Sequence, residues 1–191
     1  MGEAHLLDTN VASIAWDGGH RHHNTVRERL AALGEASVSV SCVTLGEVEY
    51  GLRVTPAADA ERHAAVQTAM SAYHVFDVDR HTAAIWASIR SELFQRHAPR
   101  AQRGRLTKRR PEDLTDLTTG RELGIDENDL WIVSVAVQYD LRFVTTDRME
   151  RVLEAAEAAE GYDRAVVWTL TTSDEPAGSA TPTPPPTGTA C

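Results

Sequence analysis

Short apolar runs alternate along this chain with longer stretches whose apolar residues recur every three or four positions. The runs His5 to Leu7, Ser37 to Val43, His74 to Val78, Arg142 to Thr145 and Ala165 to Trp168 have the length and flanks of buried strands. Between them, Asn24 to Leu33 sets Val26, Leu30 and Leu33 on one helical face, and Thr82 to Phe94 does the same with Ile85, Ile89 and Leu93. The segment opened by Glu127-Asn128-Asp129 is apolar nearly all round, which predicts a helix buried within the fold. Strand and helix in alternation predict the α/β class, a parallel sheet with helices on both faces. Ligands of such sheets gather beyond the carboxyl ends of the strands, so the residues just after each run are where chemistry is expected.

Two segments break the alternation. From about residue 96 to 124 the chain separates two helical stretches and contains Pro99, Gly104, Pro111 and Gly120, which reads as an insertion in the domain. From Ser173 onward Pro176, Pro182, Pro184, Pro185 and Pro186 stand among Ser, Thr, Gly and Ala, the composition of a disordered tail. One domain over 1–172 with a tail over 173–191 suits a chain of 191 residues.

The net charge of −9 argues against general attraction to nucleic acid, because phosphate binding needs local Lys and Arg. The insertion changes that picture. Arg96, Arg100, Arg103, Arg105, Lys108, Arg109 and Arg110 follow one another without an intervening carboxylate, leaving the rest of the chain more acidic than the total. This is the natural place to hold a nucleic-acid backbone, with a solvated loop or a surface for an acidic partner as the alternatives. Cys42 and Cys191 form no metal-binding spacing or disulfide framework, and a reducing, cytoplasmic setting is expected. Neither a signal sequence nor a run of about 18 apolar residues is present, so secretion and membrane insertion are not expected.

Four carboxylates stand where the sheet rule looks for chemistry. Asp8 follows His5-Leu6-Leu7, and is either a helix N-cap or a ligand. Glu47 follows the second run, and Thr44-Leu45-Gly46-Glu47 also spells a capping box. Asp129 opens the apolar helix, where the helix dipole alone favours an acid. Asp147 closes Phe143-Val144-Thr145-Thr146, as a turn residue, a cap or a site acid. Asp79 is read only as the cap of the next helix. Gathered on one sheet edge, the four acids would repel one another unless a divalent cation neutralised them, and hard Mg²⁺ or Mn²⁺ prefers such oxygen ligands.

These residues carry a family resemblance. Leu6-Leu7-Asp8-Thr9-Asn10-Val11 resembles the opening of PIN domains, and Ser41 to Gly51, with Glu47, resembles their second motif. Asn128-Asp129-Leu130-Trp131-Ile132 and Val144-Thr145-Thr146-Asp147 are similar to the third and fourth. The resemblance spans nearly all of residues 5 to 170 and implies a three-layer α/β/α fold around a parallel sheet of four to five strands. It implies a Mg²⁺- or Mn²⁺-dependent endoribonuclease of the VapC toxin type. Asp8, Glu47, Asp129 and Asp147 would be its catalytic and metal-binding acids, with Thr9, Asn10, Thr44 and Asn128 in support. It further implies an RNA substrate, a cognate antitoxin and a homodimer. Arg100, Arg103, Arg105, Lys108, Arg109 and Arg110 would meet the RNA.

Other readings remain in play. A PIN nuclease outside toxin–antitoxin systems and a non-catalytic PIN-fold module both fit the motifs. A phosphotransferase of the haloacid dehalogenase type would want an acid at position 10, where Asn10 stands. His20, His22 and His23 read as a solvated loop rather than a transition-metal site, Cys42 as a small buried hydrophobe, and Trp86 and Trp131 as core residues.

Overall fold

Leu6 and Leu7 set the architecture. Neighbouring strand residues point to opposite faces of a sheet, and these two leucines are fully buried in two different core clusters. A strand apolar on both sides must be covered on both, which requires three layers. In the computed structural model, which describes residues 3–34, 37–55, 60–98, 110–116 and 119–170, the strand β1 (His5–Leu7) is the middle of a five-stranded sheet. The others are β2 (Val38–Ser41), β3 (His74–Phe76), β4 (Arg142–Thr145) and β5 (Ala165–Val167), in the spatial order β3-β2-β1-β4-β5 with every neighbour parallel. The expected α/β class, layers and strand number are all present.

The helices divide between the two faces. Leu6 and Phe143 pack with residues of α5 (Arg80–His97), α6 (Glu127–Gln138) and α7 (Glu150–Glu160), among them Ile89, Leu93, Ile132 and Val152. Leu7, Val40 and Val144 pack on the other side with α1 (Thr9–Trp16), α2 (His23–Ala32), α3 (Cys42–Val54) and α4 (Ala60–Met70), through Val11, Val26, Val48 and Val66. α6 is buried at Leu130 and at Ile132 to Ala136, as its unbroken apolar character required. Asp79 caps α5, accepting from the amides of His81 and Thr82. Trp86 and Trp131 stack between α5 and α6 with ring centroids 4.7 Å apart.

Strand order places the functional edge. The chain steps outward from β1 to β2 and β3, then resumes on the other side of β1 with β4, whose Arg142, Phe143 and Val144 align with His5, Leu6 and Leu7. The connections leave β1 and β4 in opposite directions, which opens a crevice beyond their carboxyl ends.

Several expectations need correction. β2 stops at Ser41 because its side chain accepts from the Thr44 amide and starts α3, so Cys42 and Val43 are helical. Cys42 is only partly buried. The insertion does separate α5 from α6, and part of it is anchored to the core. α5 runs on through Arg96 to His97, and after a 3-10 turn at Pro111–Asp113 the residues Leu114, Leu123 and Ile125 bury themselves in the core. The histidine segment is not simply solvated: His22 is 8% exposed, and a His23 ring nitrogen lies 3.0 Å from the Ile14 carbonyl oxygen. Arg100, Arg103, Arg105, Lys108 and Arg109 lie outside the described residues, as does the tail from 173. Among the described residues no helix is long and apolar enough to cross a membrane.

Phe143, fully buried at the middle of β4, should be among the costliest residues to truncate. Phe143→Ala is expected to remove about 3–5 kcal/mol of stability. Tyr50→Ala, at a side chain 69% exposed on α3, should stay within about 0.5 kcal/mol. Denaturant midpoints of the two variants test the assignment of the core.

Candidate active site

The site is organised by three consecutive residues where β1 turns into α1. The Asp8 amide donates to the Val144 carbonyl at 2.9 Å, extending the β1–β4 ladder by one bond. Its side chain then does two things. Oδ1 accepts from the Thr9 amide at 2.8 Å, which starts α1, and Oδ2 accepts from the Thr145 hydroxyl at 2.8 Å. The cap and the site residue are therefore the same carboxylate. Thr9 donates its hydroxyl to Glu47 Oε2, and Asn10 donates its amide to Asp147 Oδ2 at 2.5 Å.

Glu47 does not close a capping box. Ser41 is the N-cap of α3, so Glu47 falls one turn further in and points across the edge instead of back to its own helix start. Its second oxygen, Oε1, accepts from the Asn128 side chain at 2.7 Å, so both oxygens are engaged. Thr44 is buried beside this contact, its hydroxyl 3.1 Å from Ser41 Oγ and 3.4 Å from Thr9 Oγ1. Asp126 caps α6 and puts Asn128 and Asp129 in its first turn. Asp129 accepts no hydrogen bond from any described residue.

The electrostatics follow from this placement. Burial, opposed by the Thr145 and Thr9 hydrogen bonds and reinforced by the charges of Asp147 and Glu47, pushes Asp8 up to about 6. Asp129 is pushed up to about 7, first by burial and then by repulsion from Asp8, Asp126, Glu47 and Asp147. Both carboxyls thus hold their protons to higher pH than an ordinary aspartate in the absence of a neutralising cation, Asp129 furthest. All four expected acids and all four supporting residues, Thr9, Asn10, Thr44 and Asn128, meet on this edge.

Oxygen-only donors and mutually repelling acids suit a hard divalent ion. Among the described residues no three acidic, imidazole or thiol side chains converge into a finished metal cage. Glu47 and Asp147 are turned toward their amide and hydroxyl partners, which leaves an open rim. Mg²⁺, which keeps several waters, needs only one or two carboxylates. Asp8 and Asp129 are the acids whose charge most requires a counterion.

Sequence reasoning missed Thr145. It is the last residue of β4 and fully buried, and its hydroxyl both donates to Asp8 and accepts from the Asp147 amide at 2.9 Å. A hydroxyl ending an otherwise apolar strand two residues before an acid was the available signal. An open cleft of 520 Å³ extends from the acids between α1, α3 and α4, bordered by Glu47 and Asp147 at one side and by Asp17 and Arg62 at another.

A five-stranded parallel sheet with carboxylates beyond β1, β2 and β4 and at the start of the preceding helix defines an acidic α/β domain with its site at the switch in strand order. The sequence matches the PIN domain family over residues 5–156, and the chain belongs to that family, whose members are generally nucleases. No curated protein sequence matches it significantly. Among solved structures, the fold is similar to DNA-bound VapBC from Salmonella typhimurium, at 23% identity over 87% of this chain and 98% of that one, with a TM-score of 0.58. VapBC-1 from nontypeable Haemophilus influenzae matches with a TM-score of 0.56 at 14% identity, covering 86% and 98% of the two chains. VapBC2 from Rickettsia felis, bound to a promoter DNA fragment, gives 0.55 at 19% identity over 78% and 92%.

The raised carboxyls fix the sign of a pH effect. Because Asp8 and Asp129 titrate higher in the folded protein than in the unfolded chain, the folded state holds extra protons between about pH 4 and 7, and stability falls as pH rises through that window. Metal-free protein should lose about 2–4 kcal/mol from these groups between pH 5 and 8. Asp129→Asn should flatten the profile, as read by denaturant titration at each pH. Thr145→Val, which strands Asp8 Oδ2 and the Asp147 amide, should cost about 1–3 kcal/mol. Thr145→Ser should recover most of that loss.

Proposed function

We propose that this protein is a Mg²⁺- or Mn²⁺-dependent endoribonuclease and the toxin of a VapBC-type toxin–antitoxin pair. The observation that carries the reading is Asp129, an acid without a hydrogen-bond donor among the described residues, raised to about 7 beside three other carboxylates. Such a site gains most from a divalent ion, and a phosphodiester is the substrate that brings its own negative charge to one. When bound, the cation would acidify a water and offset charge on the leaving oxygen.

The chain's own residues divide the remaining work. Asp8 and Asp129 would hold the ion. Glu47, with both oxygens engaged by Thr9 and Asn128, fixes the spacing between α1, α3 and α6. Asp147 is exposed and uses only Oδ2 toward Asn10, so Oδ1 is the carboxylate oxygen best placed to orient a water and accept its proton. Arg110, exposed at the end of the basic segment, and Arg100, Arg103, Arg105, Lys108 and Arg109 before it would hold the RNA backbone. The fold's likeness to VapBC complexes supports a cognate antitoxin; a homodimer and a cytoplasmic setting complete the proposal.

Purified protein with a mixed RNA pool and Mg²⁺ or Mn²⁺ tests the reading, with EDTA and the Asp8→Ala and Asp129→Asn variants beside it. Cleavage is expected only with metal, and both variants should abolish it while retaining a native circular dichroism spectrum. Inert, folded wild type with either metal, or cutting that survives EDTA, overturns the proposal.

A further inference from the structure

The cleft beside the acids is built for something other than a phosphate backbone. Three carboxylates line it, Asp17, Glu47 and Asp147, and the one guanidinium among its described lining residues, Arg62, already grips Asp17 through a two-pronged pair. That pair ties the end of α1 to α4. A channel this acidic repels phosphates. Its remaining walls set the apolar side chains of Ile14, Val48, Leu52 and Val66 beside uncharged hydrogen-bonding groups, the hydroxyls and amide of Thr9, Asn10, Ser13, Thr55 and Thr146 and the imidazoles of His20 and His63. Apolar faces beside uncharged donors and acceptors suit an uncharged flat ring with a polar edge.

Size and position agree with that chemistry. A volume of 520 Å³ lies in the range of small-molecule pockets and excludes a duplex. His20 Nδ1 accepts from the His22 amide at 3.2 Å, so in the neutral ring the proton sits on Nε2, which becomes a donor for a base-edge acceptor. Gly51 keeps one wall open. It sits inside α3, where a glycine costs about 1 kcal/mol relative to alanine, and a Cβ added there would meet nothing within 4 Å.

We propose that this cleft takes one nucleobase of single-stranded RNA adjoining the phosphate to be cut, with His20 and His63 reading its edge. The inference rests on the ribonuclease reading and adds its specificity. Sequence-selective RNA recognition works on unstacked bases, and a strand whose phosphates are held by cations elsewhere can turn one base into such a pocket.

The test is sequencing of the ends produced when wild type cuts a randomised single-stranded RNA pool with Mn²⁺. One base should dominate at a single position beside the cut. Gly51→Leu fills the cleft while favouring the helix, so it should keep or raise the melting temperature yet lower kcat/KM for the preferred sequence by about tenfold or more. His63→Ala should change or flatten the base preference. If wild type cuts nothing, the ribonuclease reading fails first. Cutting without preference at any position, or a preference that both variants keep, overturns the pocket alone.

Discussion

Everything at this edge depends on Asp8-Thr9-Asn10 being held in one conformation as the chain leaves β1 and enters α1. The three side chains reach two distant parts of the sequence: Asp8 and Asn10 reach Thr145 and Asp147 at the end of β4, and Thr9 reaches Glu47 in α3. The backbone of Asp8 is still bonded to Val144 while its side chain already caps the helix, so the junction is tied to the sheet and to α1 at the same residue. Asn128 adds the fourth segment by holding Glu47. A strand-to-helix junction thus serves as the common reference for three other pieces of chain.

The same geometry creates its own cost. Placing acids after three strands and on the first turn of a buried helix brings like charges together where water is scarce. Hydroxyl and amide donors satisfy Asp8, Glu47 and Asp147 and lower their charge penalty, but nothing among the described residues does so for Asp129. The fold tolerates this because the two core clusters, anchored by Leu6 and Phe143 on one face and Leu7 and Val144 on the other, fix β1 and β4 independently of the edge. Stability resides in the layers, whereas the unfavourable electrostatics are confined to their rim, the usual division in α/β domains.

How much of this was legible in the sequence varied with how local the cause was. The five strands and the buried α6 could be read because their apolar residues follow each other directly. The four acids could be read because each stands next to such a run. The end of β2 could not, since Ser41 capping a helix over Cys42 and Val43 defeats the apolar run's apparent length, and with it went the capping-box reading of Glu47. Leu114, Leu123 and Ile125 are isolated apolar residues in a polar segment, without a period that would announce their burial. Thr145 was missed for a related reason: its role is a contact 137 residues away, and its one local sign is a hydroxyl closing an apolar strand two residues before an acid.

That separation has a consequence for the newly made protein. Asp8 and Glu47 leave the ribosome early, but the hydroxyl that orients Asp8 and the helix that carries Asp129 belong to the last third of the domain, and β1 acquires its second neighbour only when β4 arrives. Contacts this distant in sequence form late in folding. A growing chain therefore carries half of its acids without the means to align them, and whatever chemistry the finished edge performs is withheld from the nascent polypeptide until synthesis of the domain is nearly over.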